Sequence, residues 1–171
     1  MNDLKKVIRD IPDFPKPGII FKDITPLLAN GALYRKAIDT LKGRYIGKKI
    51  DLVVGIEARG FIFASALAYA LGAGLVIVRK PRKLPYKTYK QTYSLEYGMD
   101  TIEMHQDAIK PGQNILIVDD VLATGGTIAA TMDLLKNFKG TIEELIFIIE
   151  LDFLKGREKL KGVPIHSLIH F

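Results

Sequence analysis

The sequence predicts an α/β fold built on a parallel sheet with helices on both faces, and three observations predict it. Short apolar runs dense in β-branched residues recur along the chain. Two of them lead through a loop of small and charged residues into a stretch of helical character. The runs are continuously apolar rather than alternating, as strands buried on both faces are. With 171 residues, 48% of them hydrophobic, the chain is long enough for one well-buried core and short for two. A single domain is therefore expected, with no internal repeat and no low-complexity segment.

The elements follow in order. Residues 10–30, "DIPDFPKPGIIFKDITPLLAN", hold too much proline for a regular core element and are expected to cap the sheet's edge. Residues from about 1 to 30 would then form a small N-terminal hood, and about 31 to 171 the core. The run "DLVVGI" (51–56) reads as a strand that passes through "EARG" into a buried helix over 61–71. Gly72 and Gly74 end that helix, and "LVIVRK" follows as the next strand. Residues 80–100 lack core periodicity and read as a long, mobile loop, a length of connection that is usually functional. "NILIVDD" (114–120) is a strand leading through "VLATGG" into a helix in which Ile128, Thr131, Met132 and Leu135 share one face. Thr127 stands where the N-cap of that helix belongs. "LIFIIEL" (145–151) and "IHSLI" (165–169) supply two further strands.

Composition excludes several functions. Cysteine is absent, so there is no disulfide framework, thiolate nucleophile or cysteine-bound zinc, and a reducing compartment suits the chain. The opening residues carry charge and proline where a secretory signal needs an apolar stretch, so a cytoplasmic location is expected. The charge-free segment 61–78 is long enough to imitate a membrane span. Its two glycines and the β-branched triplet Val76, Ile77, Val78 parse it as helix, turn and strand, so no membrane is expected. A net charge of +6 points to an anionic partner. Arg79, Lys80, Arg82, Lys83, Lys87 and Lys90 concentrate that charge in one stretch, together with Tyr86, Tyr89 and Tyr93.

The most informative stretch is "VDDVLATGGT" (118–127). In open α/β sheets ligands bind beyond the carboxyl ends of the strands, and this stretch lies at such an end. Gly125 and Gly126 let backbone N–H groups approach a ligand closely, and the following helix offers its positive dipole end, so the loop suits a phosphate. Asp119 and Asp120 repel phosphate but accept hydrogen bonds from vicinal sugar hydroxyls, or position a metal those hydroxyls share. The ligand indicated is a ribose 5-phosphate. No G-x-x-x-x-G-K-[ST] and no G-x-G-x-x-G is present, which disfavours a nucleoside triphosphatase or a Rossmann dehydrogenase.

This stretch resembles the phosphoribosyl pyrophosphate signature of type I phosphoribosyltransferases. The segments "PDFPKPGIIFKDITPLL", "GIEARGFIF", "VRKPRKLP", "YSLEYG", "DAIKPGQ" and "ELDFLKGREKL" extend the resemblance over nearly the whole chain, and to the members of that family that use adenine. The resemblance implies transfer of the phosphoribosyl group to adenine, giving AMP and pyrophosphate, with magnesium, in a homodimer serving purine salvage. It assigns ribose-phosphate binding to Asp119, Asp120, Ala123, Thr124, Gly125, Gly126 and Thr127. Pyrophosphate binding falls to Glu57, Ala58, Arg59 and Gly60, with Arg79, Lys80 and Lys83 from the basic segment. Glu96 aligns with the family's acid/base residue, carried on a flexible catalytic loop from about 84 to 97, and Arg59 is placed to serve both diphosphate and base. Ile20, Phe21, Lys22 and Leu151 form the adenine site, although lysine at position 22 cannot make the planar fork of the arginine some relatives carry.

Magnesium is expected on substrate and water, with no direct protein cage. His166 and His170 share one face of a strand, but with only the distant His105 as a third imidazole they are not expected to bind metal. Nucleic acid is not expected as a partner, although a basic loop rich in tyrosine can bind it by stacking and phosphate contact. Two rival functions remain: a phosphoribosyltransferase for a 6-oxopurine, and a regulator that senses phosphoribosyl pyrophosphate.

Overall fold

The computed structural model describes residues 1–94 and 98–171. The chain opens with helix α1 (Asn2–Lys6) and an antiparallel pair, β1 (Arg9–Ile11) and β2 (Phe21–Asp23). Helices α2 (Thr25–Ala29) and α3 (Gly31–Gly43) follow, then β3 (Leu52–Ile56), α4 (Gly60–Leu71) and β4 (Gly74–Val78). Strands β5 (Thr88–Ser94) and β6 (Met99–His105) pair antiparallel. The chain closes with β7 (Asn114–Leu122), α5 (Gly126–Leu135), β8 (Thr141–Glu150), two short 3-10 turns and β9 (Ile165–His170).

Five strands make the main sheet in the order β4-β3-β7-β8-β9, every pair parallel. The earliest of these strands, β3, lies inside, with β4 on one side and β7 on the other. Growth of the sheet therefore reverses between β3 and β7, and the carboxyl ends of those two strands flank a crevice where doubly wound sheets bind ligands.

Side chains alternate between the two faces with period two. Val53, Leu116, Val118 and Ile146 pack with Ile38, Leu41, Phe63 and Leu67 of α3 and α4. Val54, Ile56, Ile115, Ile117 and Phe147 pack on the opposite face with Ile128 and Leu134 of α5 and Ile102 and Met104 of β6. Helix α4 can approach β3 closely because Gly55 has no side chain; a Cβ there would stand 2.7 Å from the Ala64 Cβ. The hood joins the first core through Leu4, Ile24 and Leu27, which cluster with Ile148 and Leu168. It thereby covers β8 and the edge strand β9.

Three findings refine the sequence reading. The segment expected as a loop over 80–100 contains strand β5 and the first two residues of β6, because Ile102 and Met104 give β6 a buried row that anchors both partners to the sheet. The glutamate expected there, Glu96, lies outside the described residues. Helix α4, expected to be buried, keeps one apolar face uncovered, with Ile62 38% and Tyr69 90% exposed. Among the described residues no helix is long and apolar enough to cross a membrane.

Candidate active site

Two strand-to-helix loops face each other at the sheet's reversal point. After β3 the chain turns through Glu57, Ala58 and Arg59 into α4, whose first residue is Gly60. After β7 it turns through Ala123, Thr124 and Gly125 into α5. The N-cap of α5 is Gly125, not Thr127 as the sequence pattern predicts. Gly125 adopts φ +78°, a left-handed conformation open to glycine, and a Cβ there would lie 2.5 Å from the carbonyl oxygen of Gly156. Thr127 instead falls inside the first turn, its hydroxyl 3.2 Å from that of Tyr93. Both helices direct their N-terminal ends, with unpaired N–H groups and positive dipole, to the same side.

A cavity of about 220 Å³ opens between the loops, and Glu57, Ala58, Arg59, Lys80, Asp119, Asp120 and Thr127 all line it. Asp119 touches it while otherwise enclosed by protein, and Asp120 is buried. Burial pushes both carboxyls above the ordinary carboxylate range. The effect is larger at Asp119, where the neighbouring Asp120 adds a second negative charge. Arg59 opposes the shift: its Nε stands 2.6 Å from Asp120 Oδ2, an ion pair without hydrogen-bond alignment. The same guanidinium lies 4.7 Å from the centroid of the Phe21 ring, a cation–π contact. Arg59 thus bridges the acid pair and the hood.

The second loop also frames a smaller hollow lined by Asp119 and by Ala123, Thr124, Gly125, Gly126 and Thr127. The predicted ribose-phosphate residues are therefore brought together. Gly60 closes the first loop against them, since a Cβ on it would be 2.7 Å from Asp119 Oδ1 and 3.1 Å from the Val118 carbonyl.

The basic segment is held by acids. Arg79 donates to both carboxylate oxygens of Glu57, at 3.2 and 3.1 Å, and the Lys80 backbone N–H donates to the same group at 2.7 Å. Burial raises the Glu57 carboxyl, but these donors outweigh it and hold the group below its usual range. The Glu57 side chain is thus committed to orienting the basic strand end, and its backbone to shaping the loop. Lys80 Nζ forms an ion pair with Asp100, whose Oδ2 also accepts from Tyr93 Oη at 3.2 Å. Lys83 is exposed and gives its carbonyl to Arg79 at 3.3 Å. Tyr93 and Asp100 line the cavity, although the sequence reading named Tyr93 only among the tyrosines of the basic stretch and did not single out Asp100. The motif "YSLEYG" included the tyrosine, but its facing partner became visible only through the β5–β6 register, which places Tyr93 opposite Asp100.

On the other side of the glycine loop lies an apolar pocket of about 1100 Å³. Ile20, Lys22 and Leu151 line it with Phe153 and Phe171, and Ala123 and Thr124 border it as they do the smaller hollow. Lys22 Nζ is bound to Asp10 at 2.6 Å and lies 4.0 Å from the Phe171 ring centroid. Phe21 does not line the pocket; its ring meets Arg59 on one side and the edge of Phe14 on another. Behind the pocket, Glu150, Asp152 and His170 present ligand atoms within 4.8 Å of one another, a group able to hold a divalent cation. The sequence reading expected no metal at His166 and His170, and of the two only His170 belongs to this group. Glu150 is already engaged, accepting from Arg157 at 2.5 and 2.7 Å and from Ser167 at 2.6 Å.

Comparison with known proteins matches this architecture. The family model for the phosphoribosyl transferase domain covers residues 23–164. The chain is 60% identical, over the full length of both, to the adenine phosphoribosyltransferase of Geotalea daltonii. Its fold superposes on the crystal structure of the Thermoanaerobacter pseudethanolicus adenine phosphoribosyltransferase with a TM-score of 0.96, at 51% identity over 99% of each chain. The Saccharomyces cerevisiae enzyme, solved with an imino-altritol bisphosphate and adenine, gives 0.92 at 44% identity over 98% and 97% of the two chains. With two strand-end loops facing one acidic cavity, and relatives at this identity along its whole length, the chain belongs to the adenine phosphoribosyltransferases of the phosphoribosyltransferase family.

Proposed function

We propose that this chain transfers the 5-phosphoribosyl group from phosphoribosyl pyrophosphate to adenine, releasing AMP and pyrophosphate, as a purine-salvage enzyme. The observation that carries the reading is the position of the loop 123–127, which borders a hollow at the N-terminus of α5 on one side and an apolar pocket on the other. A ligand lying across it has its phosphate at the N-terminus of α5, its ribose hydroxyls at Asp119 and Asp120, and a base in the pocket.

The reaction breaks the bond from the anomeric carbon to the diphosphate oxygen and forms one to a purine nitrogen. Positive charge develops on the ribose ring and negative charge on the departing diphosphate. Asp119 and Asp120 hold the hydroxyls and set a negative field beneath the ring. The α4 N-terminus, Arg59, Arg79, Lys80 and Lys83 receive the diphosphate. Arg59 must leave Asp120 when the ribose arrives, which frees it for the diphosphate and the base. Ile20, Lys22 and Leu151 enclose adenine, Phe21 steadies Arg59 beside it, and Glu96 takes the proton the purine loses.

Magnesium fits this site. Asp119 and Asp120 offer hard oxygen donors at the cavity wall, and Asp120 Oδ2 accepts no hydrogen bond. With Asp119 and Asp120 as the protein oxygens beside it, a bound magnesium ion would supply charge neutralisation of the leaving group. The uncovered face of α4 supports assembly as a homodimer, and the absence of cysteine supports a cytoplasmic location.

The test is formation of AMP and pyrophosphate from phosphoribosyl pyrophosphate, magnesium and adenine, hypoxanthine or guanine offered separately. Turnover confined to adenine is expected. Turnover of an oxopurine instead would keep the assignment of 119–127 and overturn that of the apolar pocket. Salt-sensitive nucleic-acid binding with no turnover would replace the enzyme by a regulator.

A further inference from the structure

Strand β6 turns Asp100, Ile102 and Met104 to one face. Ile102 and Met104 are core residues, while Asp100 ends the row at the cavity wall, 22% of its side chain exposed. Three donors hold it there: the Thr101 N–H on Oδ1 at 2.8 Å, and the Tyr93 hydroxyl and the Lys80 ammonium both on Oδ2. Burial raises this carboxyl, yet the donors outweigh it and keep the group ionised. The cavity proposed to receive the diphosphate thus carries, on its basic side, a fixed negative charge paired with the very cation assigned to that ligand. A wall built only for affinity would be neutral or cationic here.

We propose that Asp100 is a positioning residue that acts through Lys80, competing with diphosphate for its ammonium group and thereby keeping product pyrophosphate from being held too tightly. Both consequences of its charge point the same way. Lys80 must be drawn off Asp100 before it can serve the ligand, and the remaining carboxylate repels the diphosphate. When pyrophosphate departs, Lys80 returns to a partner already in place.

A purely structural role for Asp100 is separable from this one. Asparagine keeps its one oxygen for the Thr101 N–H at the Oδ1 position and puts an amide NH2 where Oδ2 stood, from which the Tyr93 hydroxyl can accept, so Asp100→Asn retains a link between β5 and β6 while removing the charge. The experiment is calorimetric titration of the full-length chain and of Asp100→Asn with inorganic pyrophosphate in the presence of magnesium. Affinity is expected to rise about tenfold in the variant, with product inhibition by pyrophosphate strengthened to match. In a Lys80→Gln background the same substitution is expected to change affinity less than about threefold, because the competition has lost its object. Unchanged or weaker binding in Asp100→Asn overturns the proposal, and if that variant does not fold, Asp100→Ser carries the same expectation. The proposal rests on the reading that Lys80 meets the diphosphate. A wild-type chain that binds no pyrophosphate would overturn that reading and the proposal together, whereas wild-type binding without tightening in the variant overturns the proposal alone.

Discussion

Asp119 and Asp120 end an apolar strand, and enclosing two adjacent carboxyls there opposes folding, because burial disfavours their charged forms and each disfavours the other's. Arg59 relieves part of the cost at Asp120, leaving Asp119 the larger liability. A native carboxyl with a raised pKa binds its proton more tightly than the unfolded chain does. Its contribution to stability is therefore full below the unfolded value near 3.8 and is lost as pH rises towards the raised native value. Asp119→Asn keeps an oxygen for the Asp120 N–H, which Asp119 Oδ1 accepts at 2.9 Å, and removes the titration. We expect the variant to melt with wild type near pH 4 and a few degrees above it at pH 7, about 1 kcal/mol for a domain of this size. Turnover should fall at least 100-fold through lost ribose contacts. Melting curves across pH check the first outcome and steady-state rates the second. The acid pair and its glycines were legible because one short stretch contains them all. The Arg59–Asp120 pair was not, since it depends on β3 and β7 being neighbours in the sheet.

At the scale of elements, the site is a set of close approaches between strand ends and helix starts, and Gly60 carries the tightest of those involving Asp119. Alanine would favour the first turn of α4 by helix propensity, up to about 1 kcal/mol. Its Cβ would, however, stand 2.7 Å from Asp119 Oδ1. The carboxylate end can swing away, while the Val118 carbonyl oxygen at 3.1 Å and the Asp119 Cα at 3.2 Å belong to the β7 backbone and must give by a few tenths of an ångström, so the chain should fold with slight strain while the acid leaves its place. For Gly60→Ala we expect a melting temperature within about 3 °C of wild type. Binding of phosphoribosyl pyrophosphate should weaken tenfold or more, measurable by calorimetry; wild-type affinity would show that Asp119 does not need that position. Strands β3, β4, β7, β8 and β9 were all readable from apolar runs, which burial on both faces makes densest in the inner strands β3, β7 and β8. Strands β5 and β6 were not, since one face is solvated and charged residues break the pattern, as in "TYKQTYS". The N-cap of α5 was misplaced by two residues for a related reason. A glycine in left-handed geometry ended the loop where a hydroxyl cap was the commoner expectation.

Over the whole molecule, two features of the lone chain remain without a packing reason. Helix α4 carries no charged residue and is largely apolar all round, a composition that belongs to a covered helix, yet Ile62, Ser65 and Tyr69 form an exposed stripe at helical spacing. Strand β4 forms one edge of the sheet, and its Leu75 is 44% exposed. The sequence marked the helix as buried, and the single chain leaves that expectation half met. A second copy of the chain would meet it; α4 begins at the loop 57–59 that lines the acidic cavity, and β4 runs into Arg79 and Lys80. An interface across these elements would brace the site's basic wall, so assembly and activity should fall together. Sedimentation is expected to give about twice the 19.1 kDa of one chain. In Tyr69→Asp, loss of a central aromatic and burial of a charge should weaken association at least about 30-fold, shifting the mass towards the single chain at micromolar concentration. Activity per chain should then become dependent on enzyme concentration in the variant. A wild-type mass of one chain across the whole active range would sink the dimer and leave the exposed face of α4 to another partner.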